Sequence, residues 1–383
     1  MTSKPLHFIV FLSRKMVTVD VAVPFFVSLN AKTPCKVTFI TFDKQTAEMI
    51  NANQLLLSAI KAIGCLVYMP TQTCDGHRSI AAKALIFARL LCLLFEKIFR
   101  KKTFFLHYKQ LNDGPLHWFG RFCEKKTIFM QSGKSASNQK IDEHIKERKC
   151  RTREVCGGTV LYFDDTVFET YSINVEKQKC IHVPLTVSLS GWIDFRDKFL
   201  IEHVGYDKGR KGVALILSSM EIDWLDRPIL NNTNFYLLLD RTLRAITKEL
   251  PNYRVFIKLH PATVRTTKVK IEEVIKRYND NGSIEITDLS PSCLVAIVDW
   301  AVANIVSTTF QTFEFFQVPT VEFSAYHPEI LKLTKQQSLQ PELVDYFVHN
   351  SDKEFKRVLI ELSKQKRLKK FVPTELPELN FTK

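Results

Sequence analysis

The chain has 383 residues, a length that predicts two domains. Hydrophobic residues make up 45% and charged residues 25%, a globular composition that excludes a disordered chain, a fibre and a multi-span membrane protein. The 54 Lys and Arg residues exceed the 40 Asp and Glu residues, which gives a formal net charge of +14. A chain this basic is expected to meet an anionic partner such as nucleic acid, a phospholipid surface or a phosphorylated ligand.

Other features of the sequence further narrow the class of protein and its cellular compartment. Only 12 residues are glycine, and neither G-x-G-x-x-G nor G-x-x-x-x-G-K-[ST] occurs. The nine cysteines are irregularly spaced without a C-x-x-C pair, so they predict a reducing compartment rather than zinc. No apolar run reaches the length of about 18 residues that spans a membrane, and the N-terminal run is typical of a strand rather than a signal peptide. We therefore expect a cytoplasmic protein.

The first half of the chain alternates strand and helix patterns. Apolar runs rich in β-branched residues predict strands, and amphipathic runs predict helices. In chain order the predicted elements are strand His7–Leu12, helix Val19–Leu29, strand Cys35–Phe42, helix Ala47–Ile63, strand Cys65–Met69, helix Ile80–Lys102, and strands Thr103–Tyr108, Thr127–Met130 and Thr159–Phe163. Strands separated by helices indicate βαβ units and a parallel sheet.

The polar segment Ser190–Gly212 interrupts this alternation and marks the expected domain boundary, after which it restarts. The predicted elements are strand Val213–Ser219, helix Phe235–Leu250, strand Arg254–Leu259, helix Val269–Tyr278, strand Ile284–Ile286, helix Cys293–Trp300, strand Ala303–Val306, helix Thr309–Gln317, strand Pro319–Phe323 and the basic helix Asp352–Leu368. Two αβα halves joined by a linker are expected to bind a ligand between them, at the carboxyl ends of the strands.

The sequence RVFIKLHPAT delivers Lys258, His260 and Pro261 at the carboxyl end of a buried strand. Pro261 restricts His260 to an extended backbone. The imidazole can then hydrogen-bond a phosphate or protonate a leaving group near neutral pH. The alternative is a histidine that only caps a loop.

A second strand runs into Ser307, Thr308 and Thr309, where a helix is predicted to begin. Hydroxyl side chains and helix N-terminal N–H groups both suit an anion such as phosphate. Glu314, farther along this helix, has the reach to contact a ribose hydroxyl, although a solvated position is the simpler interpretation. Capping alone also explains the hydroxyl residues.

The sequence LYFDD places Asp164 and Asp165 at the end of a strand in the first half. Carboxylates at this edge are candidates for a general base, and a turn that favours Asp is the alternative. Alternation does not choose between the two, since both strand faces are predicted to be buried. A competing Asn112-Asp113-Gly114 is not delivered by an apolar strand.

In order and spacing, these motifs resemble bacterial GT-B glycosyltransferases that use CMP-activated or CDP-activated donors. The family includes sialyltransferases and polysialyltransferases, capsule Kdo transferases and CDP-glycerol polymerases. The resemblance implies two Rossmann-like αβα domains, with residues 1–195 for the acceptor, residues 210–345 for the nucleotide-sugar donor, and residues 346–383 as a basic helix and tail. Thr166 stands where these families have Gly after the acidic pair.

The resemblance also implies an inverting transfer from a CMP-activated sugar to a glycan or glycolipid in surface polysaccharide synthesis. Asp165 would be the base and Asp164 its structural partner. Donor contacts would come from Lys258, His260, Pro261, Ser307, Thr308, Thr309 and Glu314. No metal or cofactor is expected, which agrees with the absence of a D-x-D motif.

Two basic features bear on location and partners. Ala82–Lys102 combines a wide apolar face with a basic arc, and Lys364–Lys370 adds a charge run. Both fit docking to an anionic inner membrane face, and both also fit a packed helix with a solvated tail.

The competing functions are a CDP-glycerol-type transferase, a nucleotide-sugar epimerase and a non-catalytic basic binding protein. No nucleic-acid-binding motif supports the last of these.

Overall fold

The computed structural model describes most of the chain. The described residues are 5–13, 16–69, 88, 91–92, 102–108, 111, 117–132, 155–204, 211–218, 223–224, 227–228, 230, 232–260, 263, 265–279, 282–307, 309–365, 371–379 and 381. Within these ranges no helix combines the length and the apolar character needed to cross a membrane. The predicted helix Ile80–Lys102 lies almost wholly outside them.

The chain divides into two compact units. Unit 1 comprises Met1–Lys198 and Pro373–Lys383, and unit 2 comprises Phe199–Val372. The basic helix near the end of the chain belongs to unit 2, whereas Pro373–Lys383 belong to unit 1.

Unit 1 is built on a seven-stranded sheet in which all paired strands are parallel, in the order β3-β2-β1-β4-β5-β6-β7. Its strands are β1 Leu6–Phe11, β2 Cys35–Thr41, β3 Gly64–Tyr68, β4 Thr103–His107, β5 Thr127–Met130, β6 Thr159–Tyr162 and β7 Lys179–His182. Among its described residues the helices are α1 Met16–Lys32, α2 Lys44–Ala52, α3 Gln54–Ile63, α4 His117–Phe122, α5 Thr166–Thr170 and α6 Ser190–Phe199. The central strands are buried on both faces, which explains their continuous apolar runs.

The C-terminal segment completes unit 1. Thr374 forms an isolated parallel bridge with Leu189, and its N–H donates to the Ser188 carbonyl at 3.0 Å. Farther along, the ring of Phe381 packs against those of Phe8 and Phe104, with centroids 5.4 and 5.5 Å away. The core around β1 and β4 therefore includes an aromatic side chain from the end of the chain.

Unit 2 is built on a six-stranded parallel sheet in the order β12-β11-β8-β13-β14-β15. Its strands are β8 Gly212–Ile216, β9 Asp223–Trp224, β10 Arg227–Pro228, β11 Arg254–Lys258, β12 Ile284–Ile286, β13 Trp300–Ala303, β14 Thr320–Ser324 and β15 Tyr346–His349, of which β9 and β10 form a separate antiparallel pair. Its helices are α7 Asn232–Glu249, α8 Arg265–Lys276, α9 Pro291–Ile297, α10 Phe310–Phe315, α11 Pro328–Leu333 and α12 Asp352–Lys364. This architecture confirms the predicted pair of αβα domains with parallel sheets.

Several predicted elements are wrong in detail. The single helix Ala47–Ile63 is two helices, because the Asn53 side chain accepts from the Leu56 N–H at 3.1 Å and starts a new helix. The polar boundary Ser190–Gly212 begins with helix α6, which the sequence analysis missed. Trp192 and Ile193 are nevertheless buried on it.

The predicted strand Ala303–Val306 lies three residues earlier, at Trp300–Ala303. The predicted helix before it ends at Ile297, and the Asp299 carboxylate accepts from the Gly212 N–H at 3.0 Å where β13 begins beside β8. Strands β7 and β15 were not predicted, because both are short and only partly buried.

Candidate functional site

The chain order of unit 2 reverses between β8 and β13. From β8 the chain moves outward to β11 and β12, and then returns to the other side of β8 as β13. In open parallel sheets, ligands bind at the carboxyl ends of the strands beside such a switch point. The residues that follow β8, β11 and β13 are therefore the candidates for a binding site in this unit.

The strand register aligns these residues. Ile216 of β8 pairs with Lys258 of β11 on one side and with Ala303 of β13 on the other. His260 follows Lys258 by two residues, and Ser218 follows Ile216 by two. Since neighbouring strands lie about 4.8 Å apart, the ends of β11 and β13 lie roughly 10 Å apart across β8.

Hydrogen bonds to three neighbouring elements fix the segment after β13. Ser218 is buried, and its hydroxyl donates to the Ile305 carbonyl at 2.9 Å. Asn304 is also buried, and its Nδ2 donates to Thr242 Oγ1 at 2.9 Å and to the Phe323 carbonyl at 3.1 Å. Three elements thus fix the backbone that leads to Ser307.

Ser307 is half-buried and ends this held segment. Its Oγ accepts from the Thr309 N–H at 3.3 Å, and its carbonyl accepts from the Phe310 N–H at 2.8 Å. Ser307 therefore lies before α10, which begins at Phe310, one residue after the predicted start at Thr309. Thr309 occupies the N-cap without a side-chain cap bond, and Thr308 lies outside the described residues.

His260 and Lys258 are both half-buried at the carboxyl end of β11. Burial lowers the pKa of His260 below its usual value of 6.5, because desolvation disfavours the imidazolium. The His260 carbonyl accepts from the Thr263 N–H at 2.9 Å. Pro261 lies outside the described residues.

Glu314 is exposed on α10. The structure thus leaves its carboxylate at the surface of unit 2, whereas Lys258, His260 and Ser307 are brought to one edge of the sheet.

Glu322 is a candidate that the sequence analysis missed. It lies in β14 at 0% exposure, and its Oε1 accepts a short hydrogen bond from the Tyr326 hydroxyl. Burial raises the pKa of this carboxyl to about 7, although the Ser338 and Tyr326 hydroxyls and the Val306 amide act in the opposite direction. A lone acidic residue inside the apolar run PTVEFS was the available signal.

In unit 1, the two aspartates after β6 occupy different environments. Asp164 is half-buried, and its Oδ1 accepts from Gln131 Nε2 at 3.2 Å and from the Thr166 N–H at 3.0 Å. Gln131 in turn accepts from the Phe163 N–H at 2.7 Å. Asp164 therefore fixes the turn after β6 against the end of β5.

Asp165 is exposed at the N-cap of α5, and its side chain makes no cap bond there. Its carboxylate faces solvent, whereas that of its neighbour is engaged in the turn. The competing Asp113 lies outside the described residues.

The switch point of unit 1 lies between β1 and β4, away from the aspartates. At the end of β4, His107 is fully buried, and its Nε2 lies 2.7 Å from the Cys156 carbonyl oxygen. Burial lowers its pKa to about 4, so the imidazole is neutral at pH 7. The neutral imidazole of His107 therefore donates a hydrogen bond that links β4 to the segment before β6. In the part of the chain that the structure describes, no three His, Cys, Asp or Glu side chains gather as a metal site.

No protein-family model matches the sequence, and no curated protein is significantly similar to it. Solved structures are similar in fold. The Staphylococcus aureus MnaA–UDP structure has a TM-score of 0.51 and 11% identity over 95% of this chain and 89% of that chain. LpCGTa in complex with UDP has a TM-score of 0.50 and 8% identity over 94% of this chain and 91% of that chain.

A UDP-N-acetylglucosamine 2-epimerase from Rickettsia bellii has a TM-score of 0.49 and 13% identity over 94% of this chain and 89% of that chain. Glycosyltransferases, a sialyltransferase among them, match at lower TM-scores. At such identities the similarity shows the fold alone. The chain thus shares its fold of two α/β units with parallel sheets with the MnaA–UDP and LpCGTa structures.

Proposed function

We propose that the protein is an inverting, metal-independent glycosyltransferase. It moves a sugar of the sialic acid or Kdo type from a CMP-activated donor to a glycan or glycolipid acceptor. The observation that carries this proposal is the register at the carboxyl edge of unit 2, where His260 follows β11 and the held segment before Ser307 follows β13.

The donor phosphate binds at this edge. Ser307 contributes a hydroxyl, and Lys258 contributes positive charge. The motif resemblance adds Pro261, Thr308 and Thr309 to the donor contacts. Glu314, exposed on α10, takes the ribose hydroxyls.

His260 stabilises the leaving group. In the unliganded protein its pKa is lowered by burial, so the neutral imidazole predominates at pH 7. An adjacent phosphate favours the charged form and raises the pKa again. The histidine therefore gains a proton with the bound donor and can give it to the departing phosphate oxygen.

Asp165 is the proposed general base. Its exposed carboxylate accepts the proton of an acceptor hydroxyl, while Asp164 orients the turn. The acceptor oxygen forms a bond to the anomeric carbon as the bond from that carbon to the phosphate oxygen breaks. The electron pair of the broken bond leaves with the nucleotide, and the configuration at the anomeric carbon inverts.

The choice of CMP, of the sugar and of surface polysaccharide synthesis rests on the motif resemblance. The basic runs Ala82–Lys102 and Lys364–Lys370 support association with an anionic membrane surface, where a glycolipid acceptor is found.

A calorimetric and thermal-shift panel of CMP, CDP, UDP, GDP and their sugar adducts tests donor binding. A nucleotide at 100 times its dissociation constant adds about 2.7 kcal/mol to the free energy of unfolding. We expect binding to weaken in Ser307→Ala and to persist in Ser363→Ala, which removes an exposed hydroxyl from α12. Equal binding by both variants would contradict the placement of the phosphate.

A transfer assay with and without EDTA tests the reaction. We expect sugar transfer that needs an acceptor and survives chelation. Isomerisation of a sugar nucleotide without an acceptor would identify an epimerase instead, and transfer from CDP-glycerol a phosphotransferase. Salt-sensitive binding to nucleic acid with no nucleotide-sugar binding would identify a basic binding protein.

A further inference from the structure

Side chains from the two strands that flank β6 hold the backbone of Phe163, two residues before Asp165. The Phe163 N–H donates to Gln131 Oε1 at 2.7 Å, and the Phe163 carbonyl oxygen lies 3.0 Å from His182 Nε2. Gln131 follows β5, and His182 is the last residue of β7. Since Asp164 and Asp165 come directly after Phe163, both contacts act on the backbone that presents the two carboxylates.

The contact between His182 and Phe163 is a side-chain hydrogen bond at the end of a strand pair. Strand register pairs His182 with Tyr162, the last residue of β6, and the Val183 N–H donates to the Tyr162 carbonyl at 2.8 Å. The imidazole thus lies where β6 ends. Because a carbonyl oxygen can only accept, Nε2 of His182 carries the hydrogen and donates it to Phe163.

His182 contributes little to the core of unit 1. Its side chain is exposed on β7, at the edge of the sheet, and its ring meets that of Tyr162 edge-on with centroids 5.4 Å apart. A hydrogen bond that is open to solvent stabilises a fold only weakly, because water competes for both partners. We therefore expect this histidine to affect the local position of the turn after β6 more than the stability of the unit.

The Asp165 carboxylate depends on the backbone before it. The Asp164 carboxylate is engaged in the turn, whereas the Asp165 side chain makes no cap bond at the start of α5. Its direction is thus set by the course of the chain from Phe163 onward. A reacting group that is misplaced by about 1 Å can slow a reaction about a hundredfold, so a general base at this position needs a fixed backbone.

We propose that His182 is a positioning residue that fixes, through the Phe163 carbonyl, the backbone that carries Asp165. The inference rests on the proposed function for the role of Asp165 as general base. It does not rest on it for the hold on the backbone. His182 acts through Phe163 and exchanges no proton with donor or acceptor, so its loss should slow transfer without weakening donor binding at unit 2.

Three substitutions separate the hydrogen bond from the ring contact. His182→Gln keeps an N–H donor at a similar distance from the backbone and removes the ring. His182→Phe keeps a ring beside Tyr162 and removes the donor, and His182→Ala removes both.

His203→Phe is the matched control. His203 is also exposed, its Nδ1 lies 3.2 Å from the Phe199 carbonyl oxygen, and its ring stacks on that of Phe199. It lies in the turn Leu200–Val204 after α6 rather than in a strand. The control therefore removes a comparable contact at a position that does not touch the turn after β6.

The first readout needs no substrate. Hydrogen exchange of the unliganded proteins is measured at the peptide that covers residues 163–168, where the N–H groups of Phe163, Thr166 and Phe168 are hydrogen-bonded. We expect faster exchange there in His182→Phe and His182→Ala. Exchange in His182→Gln and His203→Phe should remain close to that of the unsubstituted protein, and the melting temperatures should differ little.

The second readout is the kinetics of sugar transfer. We expect kcat to fall about tenfold in His182→Phe and His182→Ala, the equivalent of one lost hydrogen bond, with the KM for the donor unchanged. His182→Gln should restore most of the turnover. A merely structural histidine would change stability and the kinetic constants together, and Gln would not rescue it.

The outcomes separate the two proposals. Unchanged exchange at residues 163–168 in His182→Phe, or an equal increase in His182→Gln, would overturn the positioning role whatever the reaction. Faster exchange in His182→Phe with full turnover would overturn the link to the base. Faster exchange in a protein that transfers no sugar before substitution would support the hold on the backbone and overturn the proposed function.

Discussion

The Ser218 hydroxyl donates a 2.9 Å hydrogen bond to the Ile305 carbonyl, which ties the segment after β8 to the segment after β13. The two residues lie on either side of the switch point of the unit 2 sheet. The bond therefore sets the separation between two backbone segments that a ligand at this edge would contact.

Replacing Ser218 with Ala should weaken nucleotide binding and destabilise the protein moderately. The Ile305 carbonyl loses its buried partner, which costs about 1–3 kcal/mol of unfolding free energy. Calorimetry and urea denaturation measure the two effects. Ser363→Ala, the matched control on α12, should change neither, and unaltered binding in Ser218→Ala would argue against this edge as the binding site.

His260→Ala should fold and should retain less than a tenth of the turnover of the unsubstituted protein. The imidazole lies at the edge of the sheet, so its loss removes a proton donor rather than core packing. His327→Ala, which removes an exposed histidine from the start of α11, is the control. Turnover above a tenth would remove His260 from the mechanism.

The same histidine predicts the pH dependence of nucleotide affinity. The pKa of the free protein lies below 6.5, and bound phosphate raises it, so binding takes up a proton. Affinity should therefore rise as the pH falls between the bound and the free pKa values, and should level off below the free value. Calorimetry at several pH values measures this slope, and His260→Ala should reduce it.

Substitution of Asp164 and substitution of Asp165 should have different effects in the same transfer assay. Asp165→Asn should abolish transfer with little change in stability, because its side chain is exposed and makes no cap bond. Asp164→Asn should lower the melting temperature and reduce transfer less, because it disturbs the contacts to Gln131 and Thr166. The reverse order would exchange their roles, and full transfer by both would make Asp113 the next candidate.

Glu322→Gln should stabilise the protein above pH 7. The folded state holds the Glu322 proton with a pKa of about 7, against 4.5 in the unfolded chain, so ionisation lowers stability as the pH rises from 4.5 to 7. Gln carries no such charge, and it should raise the unfolding free energy at pH 8 by on the order of 2 kcal/mol. The difference should shrink at pH 5. A difference that does not depend on pH would mean that the carboxyl titrates normally.

The sequence predicts most of the central strands because their burial on both faces makes each a continuous apolar run. Thr127–Met130 is an example in which the predicted bounds agree with the structure. Short, half-exposed strands such as Lys179–His182 leave no such run. The helix Ser190–Phe199 was not predicted, because its polar residues obscure the apolar pattern of the helix.

The candidate site could be predicted only in part, for a different reason. His260 and Ser307 follow strands, and strand ends can be recognised locally. Ser218 and Asn304 bond to Ile305 and Thr242, which are distant in sequence and are brought close by the order and register of the strands. No local pattern encodes those pairings, although the lone acid in an apolar strand was visible.

The return of the chain to unit 1 has a consequence for biosynthesis. Phe381, which packs on Phe8 and Phe104, is translated after every residue of unit 2. Unit 2 is continuous in sequence and can fold while the chain is still being synthesised. Strand β1 is synthesised first, but its residue Phe8 gains the contact with Phe381 only near the end of synthesis. Until then the faces of Phe8 and Phe104 that Phe381 covers in the finished protein lack this partner.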